Sequence, residues 1–149
     1  MAYLVDTSVL VRLANPNDSQ YSVAANAVLE LHRSGETLHI SPQNLIEFHS
    51  VATRPTDVNG LGLSIAEVEA KVAIYEATFP LLEDIPGIYR SWKMLVGNLG
   101  IIGKQVHDAR LIAVCHAHAV GHLLTFNVSH FLRMAAIEPG VVVVDPENA

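Results

Sequence analysis

A single cysteine in 149 residues leaves no partner for an intrachain disulfide, so the fold cannot rest on one. Charge is scarce as well. Asp, Glu, Lys and Arg make up 16% of the chain, against roughly 25% in ordinary soluble domains, so much of the surface is either uncharged or covered by a partner, and an oligomer or a tight complex is expected. Positive charge is especially short: nine Lys and Arg face fifteen Asp and Glu, a net charge of −6. That removes bulk electrostatics as a means of holding nucleic acid. Any such contact must be local, with Arg12, Arg54, Arg90, Lys93, Lys104, Arg110 and Arg133 available to line a groove if the fold gathers some of them. No apolar run approaches the 18 or so residues that span a bilayer, and the opening MAYLVDTSVLVRLA lacks the basic start and cleavage site of a secretory signal. A cytoplasmic chain without a membrane anchor is the expectation.

What is present is apolar: half the residues are hydrophobic, enough for one substantial core and few for two. No repeat, low-complexity tract or linker divides the chain, so residues 1–149 read as one domain. Ala2 to Val5 is a continuous apolar run of the kind that suits a strand covered on both faces, and Asp6 stands at its exit. Thr7 or Ser8 can cap a helix to about Ala14. A second helix is expected from Ser19 to Arg33, a strand over Thr37 to Ile40, and a helix capped by Ser41, with Pro42 at its first position, running to Thr53. Ser64 caps IAEVEAKVAIYEATF, in which Val68, Val72, Tyr75 and Phe79 form an apolar stripe, either core or partner surface. Leu81 to Glu83 reads as a short strand. A helix follows Pro86, another runs from Lys104 or Gln105 to about Val120, and His122 to Phe126 and Val141 to Val144 complete the strands. Alternation of strands and helices predicts an α/β fold, a three-layer sandwich around a parallel sheet of four or five strands.

In such sheets ligands bind beyond the carboxyl ends of the strands. Asp6 lies there, readable as a helix cap or as a ligand. Asp108 heads an apolar stripe of Leu111, Ile112, Cys115 and Ala119, which should turn its carboxylate inward, although a first-turn acid also suits a helix N-terminus by itself. Glu47 has no Lys or Arg three or four positions away to explain it as half of a surface pair; the alternative is an exposed helix glutamate. The parallel topology would gather all three along one sheet edge. Clustered carboxylates must take up protons unless a cation neutralises them, and an all-oxygen donor set suits Mg²⁺ or Mn²⁺. Thr125 and Asn127, just past the fourth expected strand, would share that edge, with a β-branched strand residue and an Asn-capped turn as the alternatives.

The stretches LVDTSVL around Asp6, SPQNLIEF around Glu47, VHDARLIAV around Asp108, and LLTFNVSHF resemble, in order and spacing over nearly the whole chain, the PIN-domain nucleases, especially the VapC-type toxins of bacterial toxin–antitoxin pairs. The resemblance implies Mg²⁺- or Mn²⁺-dependent hydrolysis of RNA without a covalent enzyme intermediate, a homodimer, and neutralisation by an antitoxin protein. It places Asp6, Glu47 and Asp108 at the acidic metal site and Ser8 and Thr125 at supporting hydroxyls. Asn127 falls where the family often has Asp, so a second metal should bind weakly or only with the RNA phosphate. His107 and His130, beside the motifs, read either as phosphate or proton contacts or as packing and surface.

Rival readings are weaker. Cys115, His116, His118 and His122 do not have the spacing of a zinc site. Ser8 stands where haloacid-dehalogenase-like phosphatases need a second Asp, and no nucleotide-phosphate loop or nucleophile turn is present. A PIN-like domain that binds RNA or a partner without useful catalysis, or an RNA-processing nuclease that is not a toxin, are the alternatives to carry forward.

Overall fold

The computed structural model describes residues 1–149. Four strands, β1 (Ala2–Val5), β2 (Thr37–His39), β3 (His122–Leu124) and β4 (Val142–Val144), form one sheet in the order β2-β1-β3-β4, parallel throughout. On one face lie α1 (Thr7–Leu13), α2 (Tyr21–Arg33), α3 (Pro42–Thr53) and α4 (Ile65–Thr78); on the other lie α5 (Ile88–Leu99), α6 (Gln105–Ala117) and α7 (Val128–Ala135). The result is a three-layer α/β/α sandwich.

The continuous apolar runs follow from this layering. Side chains alternate across a strand, and here both faces are covered: Tyr3 and Val5 enter the core beneath α1 to α4, while Leu4 enters the core beneath α5 to α7. Leu124 and Leu123 divide in the same way. The α4 stripe resolves as core, with Val68, Tyr75 and Phe79 buried and the Tyr75 hydroxyl donating to Leu10 O at 2.7 Å.

The structure departs from the sequence expectations in four places. Leu81 makes only one bridge, to Ile40, because the acids and proline of EDIP turn the chain away at once; the sheet therefore has four strands. Helix α6 stops at Ala117, and Ala119 takes a left-handed conformation (φ 54°) so that Val120 N can bond Cys115 O at 2.8 Å. Ala119 is thus exposed and outside the stripe. The first helix is capped by Asp6, not by Thr7 or Ser8. Helix α7 was not expected; its apolar residues Phe131, Met134 and Ala135 have helical spacing and are buried.

No helix is long and apolar enough to cross a membrane. Between α3 and α4 the chain winds around the carbonyl of Arg54, which accepts from Gly62 N at 2.8 Å. A Cβ on Gly60 would come within 2.0 Å of that same oxygen. A Gly60→Ala substitution must push the loop aside, with an expected loss of about 1–3 kcal/mol of stability, measured by denaturant unfolding; an unchanged midpoint would show that the loop yields freely.

Candidate active site

At the carboxyl edge of the sheet the chain leaves β1 through Asp6, and parallel pairing sets Val5 beside Leu124 of β3. Asp6 therefore sits where the strand order reverses, with β2 on one side and β3 on the other, the position at which open α/β sheets leave a crevice. Its Oδ2 accepts from Ser8 Oγ at 2.7 Å and Thr125 Oγ1 at 2.8 Å, while Oδ1 accepts no hydrogen bond; the residue lines an open cavity. The two hydroxyls are fixed in turn. Phe126 N donates to Ser8 Oγ at 3.2 Å and Asn127 N to Thr125 Oγ1 at 2.9 Å. The N-cap and ligand readings of Asp6 are thus compatible, since capping engages one oxygen and leaves the other.

Glu47 reaches the same cavity from the second turn of α3. The local sequence holds that helix firmly: Ser41 and Asn44 form a reciprocal capping box, with Pro42 at the start. Thr7 Oγ1 donates to Glu47 Oε1 at 2.8 Å and itself accepts from Asn44 Nδ2 at 3.3 Å. Gln43 Nε2 approaches Glu47 Oε2 at 3.3 Å.

Asp108 enters from the first turn of α6, in the opposite helical layer, and its carboxyl is about one-quarter exposed. Burial, and then the facing Asp6, push its pKa from 3.8 up to about 6; Glu47 adds to the rise, while His130 and His107 oppose it. His130 Nδ1 lies 3.7 Å from Asp108 Oδ2.

The cavity these acids face has a volume of about 730 Å³. Asp6, Ser8, Glu47, Asp108 and Asn127 all line it, as do both histidines; Thr125 stands behind Asp6. The acids do not close into a cage, for no three His, Cys, Asp or Glu side chains converge on one point. Asp6 and Glu47 are held back by neutral donors, and mutual repulsion opposes closer approach. Asn127 is exposed and caps α7 without a side-chain hydrogen bond.

Three of the scattered cations come together here. Arg12, Arg54 and Lys104 line the cavity, with Arg12 held over the Phe126 ring at 4.6 Å and bonded to Gln20 and Ser8 O. Arg90, Lys93, Arg110 and Arg133 are not among the lining residues. Sequence reasoning missed the supporting roles of Thr7, Asn44 and Gln43; only Gln43 carried a local signal, four residues before Glu47 on the same helical face. The zinc alternative fails: Cys115 is buried in the core beneath α5 to α7, His118 Nε2 contacts Glu83 O, His122 stacks on Tyr3, and these side chains form no metal-binding cluster.

The PIN domain family model matches residues 3–137. The chain belongs to the PIN domain family. Among solved structures, a chain of VapBC2 from Rickettsia felis, determined bound to a DNA fragment from their promoter, superposes on this PIN domain with a TM-score of 0.72 at 18% identity, covering 97% of this chain and 98% of that one. A chain of VapBC-1 from nontypeable Haemophilus influenzae gives 0.69 at 16% identity, with 98% of each chain covered. The Mycobacterium tuberculosis VapC20 toxin, described as cleaving the sarcin-ricin loop, gives 0.60 at 18% identity over 81% of this chain and 86% of that one. No curated relative matches this PIN domain in sequence.

Proposed function

We propose that this PIN domain is a divalent-metal-dependent endoribonuclease, the toxin of a toxin–antitoxin pair, acting in the cytoplasm with Asp6, Glu47 and Asp108 as its catalytic carboxylates. The observation that carries the reading is the gathering of Asp6, Glu47 and Asp108, from the exit of β1, from α3 and from α6, on one cavity at the carboxyl edge of the sheet; burial and the two other acids raise the pKa of Asp108, a cost that a cation relieves. The donor set is oxygen throughout, with a free oxygen on Asp6, which fits Mg²⁺ or Mn²⁺. When bound, such an ion supplies Lewis-acid activation of water and offsets the charge that develops on a phosphodiester.

The chain's own residues account for the rest. Ser8 and Thr125 fix the orientation of Asp6, and Thr7 fixes Glu47. Arg12, Arg54 and Lys104 at the rim supply the local positive charge that RNA phosphates require on an otherwise acidic protein. Asn127 adds no charge, so metal affinity rests on the three acids. The antitoxin is a partner suggested by the VapBC complexes that share the fold, and a second copy of the chain is a partner implied by the family resemblance alone.

The test is incubation of the antitoxin-free protein with structured and single-stranded RNA in Mg²⁺, Mn²⁺ or EDTA. Cleavage in either metal that EDTA abolishes is expected. RNA that stays intact with both metals would overturn the catalytic assignment and favour a binding domain.

A further inference from the structure

We infer that Gln43 is the positioning residue that holds Glu47 of one helical layer in register with Asp108 of the other. The two acids come from opposite sides of the sheet, α3 packing in one core and α6 in the other, so no strand pairing sets their separation. Both hydrogen bonds that join α3 to α6 run through the Gln43 amide: Nε2 donates to His107 O at 2.8 Å, and Oε1 accepts from Arg110 Nη1 at 3.2 Å. Nε2 has two hydrogens and therefore also reaches Glu47 Oε2, at 3.3 Å. The carbonyl it grips belongs to the residue before Asp108. Arg110 is steadied from its other end by Asp84 at 3.1 Å, which fixes which way the amide points.

Glu47 is thereby suspended between two supports. Thr7 ties one oxygen to the exit of β1 beside Asp6, and Gln43 ties the other to the start of α6 beside Asp108. This double tether sets the span that the three carboxylates present to a cation. A methionine at position 43 has no donor and only a weak thioether acceptor, and lets the two layers settle independently.

This inference rests on the metal-site reading, and the experiment separates the two. Mn²⁺ binding is measured by calorimetry on the parent, on Gln43→Met, which keeps side-chain length and helix preference, and on Arg110→Met, which frees the amide without removing it. Thermal melts without metal check the fold. The expected result is a Mn²⁺ dissociation constant raised about 10- to 100-fold in Gln43→Met, the usual scale for residues that orient metal ligands, and raised less in Arg110→Met, with helical content retained in both. A parent that binds Mn²⁺ beside a Gln43→Met protein that binds it equally overturns the role of Gln43 alone. A parent that takes up no Mn²⁺ overturns the metal site and this inference with it.

Discussion

Asp6→Asn is expected to reduce RNA cleavage roughly a thousandfold or more, the scale on which loss of a group acting in the transition state is felt, while leaving the fold intact. The substitution keeps an oxygen that can accept from Ser8 Oγ and Thr125 Oγ1, so the cap of α1 and the link from β1 to β3 survive. What it removes is the negative charge at the switch point of the sheet. A second readout is independent of substrate: Asp6 is one of the groups that raise Asp108, so the Asp108 pKa should fall from about 6 toward its ordinary value, as followed by carboxyl ¹³C shifts against pH. An Asp6→Asn protein that still cuts RNA at the parent rate would sink the assignment of this carboxylate.

Asp108→Asn should lose cleavage to a similar degree and yet melt higher than the parent when metal is absent. A carboxyl whose folded-state pKa is raised disfavours the native state wherever it is ionised. Below pH 3.8 the group is protonated in both states and costs nothing. Between 3.8 and about 6 the unfolded chain releases its proton first, so native stability falls as pH rises, and above about 6 the full cost is present. At about 1.4 kcal/mol per pH unit the cost is at most about 3 kcal/mol, less because part of the side chain meets water. For a domain of this size that corresponds to a gain of several degrees, at about 2–4 °C per kcal/mol. The difference between parent and variant should shrink on acidification from pH 7.5 to 4, and Mn²⁺ should raise the melting temperature of the parent but not of the variant. Equal melting temperatures across that range would mean that neither burial nor its neighbours disfavour the Asp108 charge.

The sequence carried the acids because their positions are locally odd. An aspartate closing a fully apolar run and another heading an apolar helical stripe conflict with simple burial, and both proved to face the cavity. The parallel sheet was legible for a related reason, since strands covered on both faces lose their alternation. Long-range partners were not legible. Nothing near Gln43 announces His107, nothing near Thr7 announces Glu47, and the gathering of Arg12, Arg54 and Lys104 depends on how α1, α3 and α6 pack, which only the tertiary fold decides. The extra strand at Leu81 does not form because Leu81 and Leu82 run at once into EDIP, and α7 is hard to read because its eight residues follow a turn signal at Asn127.

The placement of β3 beside β1 has a consequence in time as well as in space. Chains emerge from the ribosome N-terminus first, so Asp6 and Glu47 are synthesised early. Thr125, which holds Asp6 in place, comes 119 residues after it, and Asp108 also belongs to the last third of the chain. A nascent chain that has not yet delivered β3 can pair β1 only with β2 and has no finished site. Under the proposed function this order of assembly works as a delay: the codons for α6 and β3 must be translated before the chain can cut anything.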